Sequence, residues 1–442
     1  MNETYVQHLQ GMVRVPTVSC PDPDSPLYAP FDRLHDYLEQ TYPNIHRVCR
    51  KQIFGRAGLM FHWQGKDSKK PPMVLMAHQD VVPVGDECKW THPPFDAQIA
   101  DGCIWGRGSI DCKQIILGGM ESVERLIAEG FQPECDVYLC YGANEEISAP
   151  DKTAPMFVEY FESLGIAPGF VMDEGHNLTP YDGPAFSGYL CNIDLGEKAR
   201  TEIELYVESA GGHAMEPGSG SALGLLAKGI VAVEANPFPY RLTPLVETEL
   251  KALAIAAPAD QKAVYQDPHG HFSELCLLAK QDKKIDSLLH TTMAVTMAQG
   301  SSTSNILPQR ASAIIDCRIM DGDTIDSVIA HLKDILPEGV QIRYDEELDT
   351  PESSDVGSDA FYCVQEALEK VYENVHMVPG LLGGGTDSKY FQKICRNVFR
   401  CGLYVEDARW GNAHGIDEKI PCDCLEKGVQ SYYELIRIYA SR

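Results

Sequence analysis

The feature that most constrains the fold of this 442-residue chain is an alternation of apolar and helix-patterned segments in its first 175 residues. Residues 73–77, 137–141 and 170–172 are continuous apolar runs of strand length, whereas residues 113–128 and 155–164 carry apolar side chains at helical spacing. Strands that alternate with helices predict a mostly parallel sheet covered on both faces. The sequence therefore predicts an α/β domain.

Residues able to bind metal follow the apolar runs. Ligands collect at the carboxyl ends of parallel strands, so we expect these side chains to lie together. Each has a simpler explanation alone: a loop histidine, a helix N-cap or a solvated acidic loop. Two imidazoles and three carboxylates, with a spare glutamate beside one of them, are together what a two-metal hydrolase requires. The residues concerned are His78, Asp111, Glu145, Glu146, Asp173 and His414.

The pattern changes near residue 185. Residues 201–207 alternate with period two, and later strands and helices suggest an α+β module with helices on one face of an antiparallel sheet. Residues 235–290 contain several prolines and are predicted to be irregular. We predict that residues 185–350 form a module inserted into a larger domain made of residues 1–184 and 351–442.

Composition excludes some classes of partner. The formal charge of −27 argues against binding to nucleic acid or to an anionic membrane, which would be repelled. No secretory signal and no membrane-spanning apolar run are visible, which favours a soluble cytoplasmic enzyme. The cysteine count of 15 is odd and most cysteines lie in apolar runs, so we expect buried thiols rather than disulfides.

Seven ordered motifs make the chain resemble the M20 metallopeptidase family over nearly its whole length. The forms of the first and fourth motifs are most similar to the aminoacylase and Gly-X carboxypeptidase branch. The motifs are residues 78–84 (HQDVVPV), 105–113 (WGRGSIDCK), 145–146 (EE), 172–175 (MDEG), 211–213 (GGH), 383–388 (GGGTDS) and 414–418 (HGIDE). The resemblance implies a phosphorylase/hydrolase-like zinc-peptidase catalytic domain with a mostly parallel sheet, plus an inserted α+β ferredoxin-like lid and dimerisation domain.

The resemblance also implies the roles of the metal-type residues. Two zinc ions per subunit, replaceable by Co²⁺ or Mn²⁺, would share Asp111 as a bridging ligand, followed by a cis peptide bond. His78 and Asp173 would complete one site, and Glu146 and His414 the other. Asp80 would hold the ring of His78, and Glu145 would be the general base for a metal-bound hydroxide.

The inserted module would supply the substrate contacts that the resemblance implies. His213 would stabilise the oxyanion, in its own or a partner subunit of a homodimer. Asn305 and Arg318 would bind polar groups of the substrate, together with the backbone of Gly383, Gly384 and Gly385. Two departures from the family pattern are Asn144 before the glutamate pair and the sequence Ala-Met-Glu after His213.

We therefore predict a zinc-dependent amidohydrolase that acts on small peptides or N-acyl amino acids with a free carboxylate. Within that class, an N-acyl amino acid deacylase competes with a dipeptidase or Gly-X carboxypeptidase. A non-catalytic binding protein on the same fold is the alternative from another class. An intact ligand set with Glu145 speaks against that alternative, because a binding module needs no base.

Overall fold

The chain divides into two compact units in a computed structural model that describes residues 2–147, 149, 151–218, 220–345 and 352–442. The first unit comprises Met1–Leu195, Ser354–Gly380 and Thr386–Arg442, and the second comprises Gly196–Ser353 and Leu381–Gly385. The first crossing point lies about a strand later than the predicted boundary at 184, because Ser187–Glu197 is a strand that pairs within the large sheet. The short segment Leu381–Gly385 belongs to the second unit, where Lys198 N–H donates to Leu382 O at 3.0 Å.

A nine-stranded mixed sheet forms the centre of the first unit. Its middle four strands are mutually parallel and antiparallel neighbours extend it on both sides, which confirms the predicted α/β class with a mostly parallel core. The strand that pairs at the edge of Ser187–Glu197 is Leu178–Asp182. In spatial order the other strands are Arg50–Phe54, Gly58–Trp63, Val137–Gly142, Met73–His78, Phe170–Asp173, Val398–Arg400, Ser187–Glu197 and Val375–Leu382.

Helices cover this sheet. Lys113–Ala128 packs closely over it, because Gly119 has no side chain to strike Tyr141 and Gly118 leaves room for Tyr432. Phe157 and Phe161 of Thr153–Ser163 pack with Val74 and other apolar residues of the strands. The helices of the first unit are Glu3–Val13, Ala29–Thr41, Pro43–Val48, Lys113–Ala128, Thr153–Ser163, Asp359–Glu369 and Leu425–Tyr439.

Short elements complete the first unit. Gln98–Ala100, Cys103–Trp105 and Lys419–Pro421 form a three-stranded antiparallel sheet. The 3₁₀ helices are Pro26–Tyr28, Glu87–Lys89, Asp387–Lys393 and Cys422–Cys424. Among the described residues of the whole chain, every helix is too short or too polar to cross a membrane. All 15 cysteines are free thiols and most are buried, as expected.

The second unit is an antiparallel sheet of four strands covered by two long helices. The spatial order is Thr292–Gln299, Arg310–Ile319, Ala199–Glu208 and Gln341–Arg343. Side chains from one face of the strands pack against the helices Ala222–Ala235 and Ile325–Ile335. The chain order strand, helix, strand, strand, helix, strand is that of a ferredoxin-like module, as predicted.

Residues 235–290 contain helices, so the prediction that this segment is irregular was wrong. Pro244 occupies the first turn of its helix, where a missing N–H costs nothing, and Thr243 caps the same helix. Asp282 caps another helix in the same way. These helices are Pro244–Leu253, Lys262–Gln266, Phe272–Ala279 and Lys283–Leu288. They are too short for the hydrophobic period to reveal them in the sequence.

Candidate metal centre

The metal-type residues of the first unit lie at the carboxyl ends of neighbouring parallel strands. His78 is the last residue of Met73–His78, and Glu145 and Glu146 follow Val137–Gly142. These two strands pair directly, with His78 opposite Gly142. The strand Phe170–Asp173 pairs on the other side of Met73–His78. Parallel pairing therefore gathers side chains that are far apart in the sequence, as the pattern of apolar runs predicts.

Asp111 lies between the two histidines. Its Oδ1 is 3.0 Å from His78 Nε2, and its Oδ2 is 3.0 Å from His414 Nε2. The peptide bond between Asp111 and Cys112 is cis, as the resemblance implies. Each carboxylate oxygen thus faces a different imidazole nitrogen, which is the geometry of a carboxylate that could bridge two cations.

Glu174, and not Asp173, faces the ring of His78. Glu174 Oε1 is 3.3 Å from His78 Nε2, and it groups with His78, Asp111 and the buried thiol of Cys112 around a position able to hold a metal ion. Asp173 Oδ1 accepts the N–H of Glu174 and Oδ2 that of Ser388, each at 2.9 Å. The sequence prediction placed Asp173 beside His78, and in the structure the carboxylate beside His78 Nε2 is that of Glu174. Adjacent residues of an extended chain point to opposite sides, so only one of the two can face the histidine.

The ring of His78 is fixed by the main chain. Its Nδ1 donates to the carbonyl oxygen of Asp80 at 2.8 Å. A carbonyl oxygen only accepts, so the neutral ring carries its proton on Nδ1 and presents the lone pair of Nε2 to Asp111 and Glu174. Asp80 does hold the ring, although through its backbone rather than through its carboxylate, whose Oδ1 is 3.6 Å away.

The carboxylate of Asp80 holds the glutamate pair. It accepts the main-chain N–H groups of Glu145 and Glu146, both at 3.1 Å, and the hydroxyl of Ser19 at 2.8 Å. The side chain of Asn144 hydrogen-bonds away from the pair: its Oδ1 accepts the N–H of Thr153 at the start of the next helix, and its Nδ2 donates to Asp151 O. The departure at Asn144 therefore leaves the hydrogen bonds of Glu145 to Asp80 in place.

The centre carries excess negative charge. Burial, and after it the charges of Glu174, Asp387 and Glu146, raises the pKa of Glu145 well above that of an ordinary glutamate. Both oxygens of the buried Asp387 carboxylate accept no hydrogen bond from the described residues, and the Lys152 ammonium lies 3.8 Å from Oδ1. Like charges this close disfavour one another unless a cation lies among them.

His414 enters the centre from an exposed loop. Its backbone is left-handed, with φ of 60°, and its Nε2 lies 2.9 Å from Glu146 Oε2. Hydrogen bonds to Asp111 and Glu146 raise the pKa of His414 to about 10. The same two carboxylates group with His414 around a second position able to hold a metal ion.

The donor atoms fit divalent cations. Imidazole nitrogens and carboxylate oxygens are the ligands that zinc takes in proteins, and each histidine Nε2 here lies between 2.9 and 3.3 Å from oxygens of two carboxylates. The carboxylates of Asp111, Glu146 and Glu174 would offset three of the four positive charges of two divalent ions. The charge count is the same whether Asp173 or Glu174 is the third carboxylate ligand.

The predicted residues of the second unit form two groups within it. His213 lies on the short strand Gly212–His213, which pairs with Ile306–Leu307, so that Ala214 N–H donates to Asn305 O at 3.0 Å. Arg318 Nε donates to Asp316 Oδ1 at 2.7 Å and Nη1 to Gly383 O at 3.4 Å. Gly384 and Gly385 follow in the same segment. His213 thus accompanies Asn305, and Arg318 accompanies the glycines.

Sequence reasoning missed two residues of the centre. Glu174 was visible in the MDEG motif, directly beside the residue chosen. Asp387 was visible in the GGGTDS motif, without a signal that its carboxylate is buried near Glu145. Both omissions concern the direction of a side chain, which a motif does not specify.

Comparisons with known proteins agree with this architecture. Peptidase family M20/M25/M40 matches residues 74–438. Probable carboxypeptidase S-like 2 of Dictyostelium discoideum is 30% identical over 419 residues, covering 92% of this chain and 79% of that protein. N-fatty-acyl-amino acid synthase/hydrolase PM20D1 of Xenopus tropicalis is 28% identical over 442 residues, covering 98% and 85%. The M20 family metallo-carboxypeptidase Sso-CP2 from Sulfolobus solfataricus shares the fold, with a TM-score of 0.74 at 20% identity over 100% of both chains.

The fold and these matches define a hydrolase that acts on amide bonds. The chain belongs to the peptidase family M20/M25/M40, because the family match spans most of its length. The family predicted from the seven motifs is confirmed.

Proposed function

We propose that the first unit binds two zinc ions and hydrolyses the amide bond of N-acyl amino acids or small peptides that carry a free carboxylate. The observation that supports this most is the placement of Asp111, whose two oxygens each lie 3.0 Å from a different histidine Nε2. His78, Asp111 and Glu174 would hold one ion, and Asp111, Glu146 and His414 the other. Co²⁺ or Mn²⁺ could replace zinc, since both accept the same nitrogen and oxygen ligands.

Two divalent ions would supply Lewis acidity that polarises an amide carbonyl and makes water more acidic. Glu145 would take the proton of the attacking water and pass it to the leaving amine. Its main chain is fixed by Asp80 on one side, and its carbonyl oxygen accepts from Lys152 Nζ at 3.0 Å.

His213 would donate to the oxyanion that forms on the carbonyl oxygen. Its Nδ1 accepts the N–H of Met215 at 3.2 Å, so the neutral ring carries its proton on Nε2 and can donate from there. The donor is a main-chain group, so this bond does not depend on the unusual side chains that follow His213. His213 would serve either the metal centre of its own subunit or that of the partner in a homodimer.

The second unit would bind the substrate carboxylate through Arg318. The bond from Arg318 Nε to Asp316 Oδ1 holds the guanidinium in one orientation, which favours bidentate recognition of a carboxylate. Asn305 and the backbone of Gly383, Gly384 and Gly385 would bind the remaining polar groups. The fatty-acyl amino acid relative and the carboxypeptidase relative both act on molecules of this class by name.

The test is metal analysis joined to a substrate panel. Purified protein is expected to contain two divalent ions per chain and to hydrolyse N-acyl amino acids, and a chelator should abolish the activity until zinc is restored. N-acyl amino acids and dipeptides would be compared side by side, because only a dipeptidase must recognise a free amine. Equal activity before and after complete metal removal would overturn the proposal, and hydrolysis of dipeptides alone would replace the deacylase by a dipeptidase. Metal binding without turnover of any amide would favour the non-catalytic alternative.

A further inference from the structure

A buried ion pair, Arg107 with Glu418, joins the two chain segments that carry Asp111 and His414. Arg107 Nη1 donates to Glu418 Oε2 at 2.6 Å, and the side chains are 2% and 0% exposed. The two residues are 311 positions apart in the sequence. Neither belongs to the proposed ligand set, although both lie in motifs that carried the family resemblance.

Each member of the pair also binds the backbone beside the opposite ligand. Glu418 Oε1 accepts the N–H of Ile110, the residue before Asp111, at 2.9 Å. Arg107 Nη2 donates to the carbonyl oxygen of Gly415, the residue after His414, at 2.9 Å. The contacts are reciprocal, so the Asp111 segment and the His414 segment cannot move apart without breaking a charged hydrogen bond.

The surrounding backbone brings these segments into register. Cys103–Trp105 pairs with Lys419–Pro421, and the N–H of Gly106 donates to Glu418 O at 2.9 Å. The strand Cys103–Trp105 ends before Asp111 in the sequence, and the strand Lys419–Pro421 begins after His414. The ion pair therefore extends the contact between the two segments from the paired strands to the residues next to Asp111 and His414.

Stability alone does not account for such a pair. Taking two charges out of water is costly, and a buried ion pair can often be replaced by apolar residues without loss of stability. What an apolar pair could not do is bind Ile110 N–H and Gly415 O at once. The specific contribution of the charged pair is therefore to hold these two backbone groups in a fixed geometry.

We propose that Arg107 and Glu418 are positioning residues that set the spacing of Asp111 and His414, and thereby the metal affinity of the Asp111, Glu146 and His414 site. The inference rests on the proposed function, since it requires that the centre binds metal. It predicts a larger effect on the ion of that site than on the other, because Asp111 belongs to both sites and His414 to one. The His78 and Glu174 side is held by strand ends and by Asp80, which the pair does not contact in the described structure.

The test measures zinc affinity of the metal-free full-length protein by competition with a chromophoric chelator. The His414→Ala variant should lose one of the two dissociation constants, which identifies the site. Glu418→Gln keeps an oxygen for Ile110 N–H and loses the charge that faces Arg107. We expect it to weaken the same site by about 10–100-fold, as loss of a group that orients a ligand does. The other constant should change by a clearly smaller factor, because the pair acts on that site through Asp111 alone.

Asp136→Asn is a matched control. Asp136 also accepts a backbone N–H, from Gly65 at 2.7 Å, and pairs with His62 at 2.9 Å. It precedes the strand Val137–Gly142, whereas the metal centre follows that strand. Its replacement removes a comparable pair from the first unit and should change neither zinc constant.

Two results would overturn the inference. One is a wild-type protein that binds two ions while Glu418→Gln binds both equally well. The other is an equal weakening of both sites. If Glu418→Gln does not fold, Arg107→Lys retains a cation beside Glu418 and should weaken the same site by a smaller factor. A wild-type protein that binds no metal contradicts the proposed function itself.

Discussion

The two halves of the candidate metal centre are built in different ways. His78 ends a buried strand and is 2% exposed, whereas His414 lies in a loop, is 57% exposed and has a left-handed backbone. The strand half is held by the parallel sheet and by a main-chain acceptor on Asp80. The loop half is held by side chains, through Arg107 and Glu418.

The two halves therefore have different sources of rigidity. Cooperative hydrogen bonding of a central sheet fixes the first half together with the fold. Loops have fewer such contacts and open more readily, so the second half depends on a few specific side-chain bonds. The exposed half is also the one that a substrate can approach from solvent.

Substitution of Asp111, the residue that both halves share, should have a greater effect than any other change. Asp111→Asn takes away the negative charge placed between both histidines, so we expect both ions to be lost. Hydrolysis should fall by about 10⁴-fold or more, as it does when residues that act as one unit are broken. Metal content and kcat/KM of the purified variant test this. Retention of one ion would show that Asp111 serves a single half.

Glu145→Ala should break the chemistry and leave both halves intact. Glu145 belongs to neither half of the ligand set, so two ions should remain. A general base contributes about 10²–10⁴-fold, and the turnover number should drop by that factor. Metal analysis alongside single-turnover kinetics measures both quantities. Near-normal turnover in a fully loaded variant would contradict the role of Glu145 as base.

Substitutions at two adjacent residues test which carboxylate binds metal in the strand half. Glu174→Gln should weaken the His78 site by more than about 100-fold, since loss of a ligand exceeds loss of a group that orients one. Asp173→Asn should cost less, because the single amide oxygen can still accept one of the two main-chain N–H groups that Asp173 binds and no proposed metal ligand is removed. Zinc titration of the two variants separates them. A larger effect for Asp173→Asn would restore the original ligand prediction.

The smallest expected effect concerns the order of metal loss. A chelator should remove the ion of the loop half before that of the strand half, because His414 is exposed and His78 is buried. Each ion should stabilise the fold by about 2.7 kcal/mol when free metal is 100 times its dissociation constant. Time-resolved zinc release from wild-type protein and from His414→Ala reports the order. Release in one phase from the wild type would show that the halves do not differ.

Much of the fold could be predicted from periodicity. Lys113–Ala128 has the bounds that the apolar spacing indicates, because a long amphipathic helix repeats its signal over several turns. The short helices between residues 235 and 290 give too few repeats. The unit boundary was placed too early because Ser187–Glu197 gives no sequence sign of its partners in the large sheet.

The α/β class, the family and the residue types that gather at the strand ends could all be read from the chain, since they depend on local pattern and ordered motifs. The folded structure was needed to show which carboxylate turns inward: Glu174 faces His78, while the oxygens of Asp173 accept main-chain N–H groups. It also shows that Arg107 and Glu418 meet across 311 positions. Such outcomes depend on side-chain direction and long-range contacts, which exist only once the sheet has brought its strand ends together.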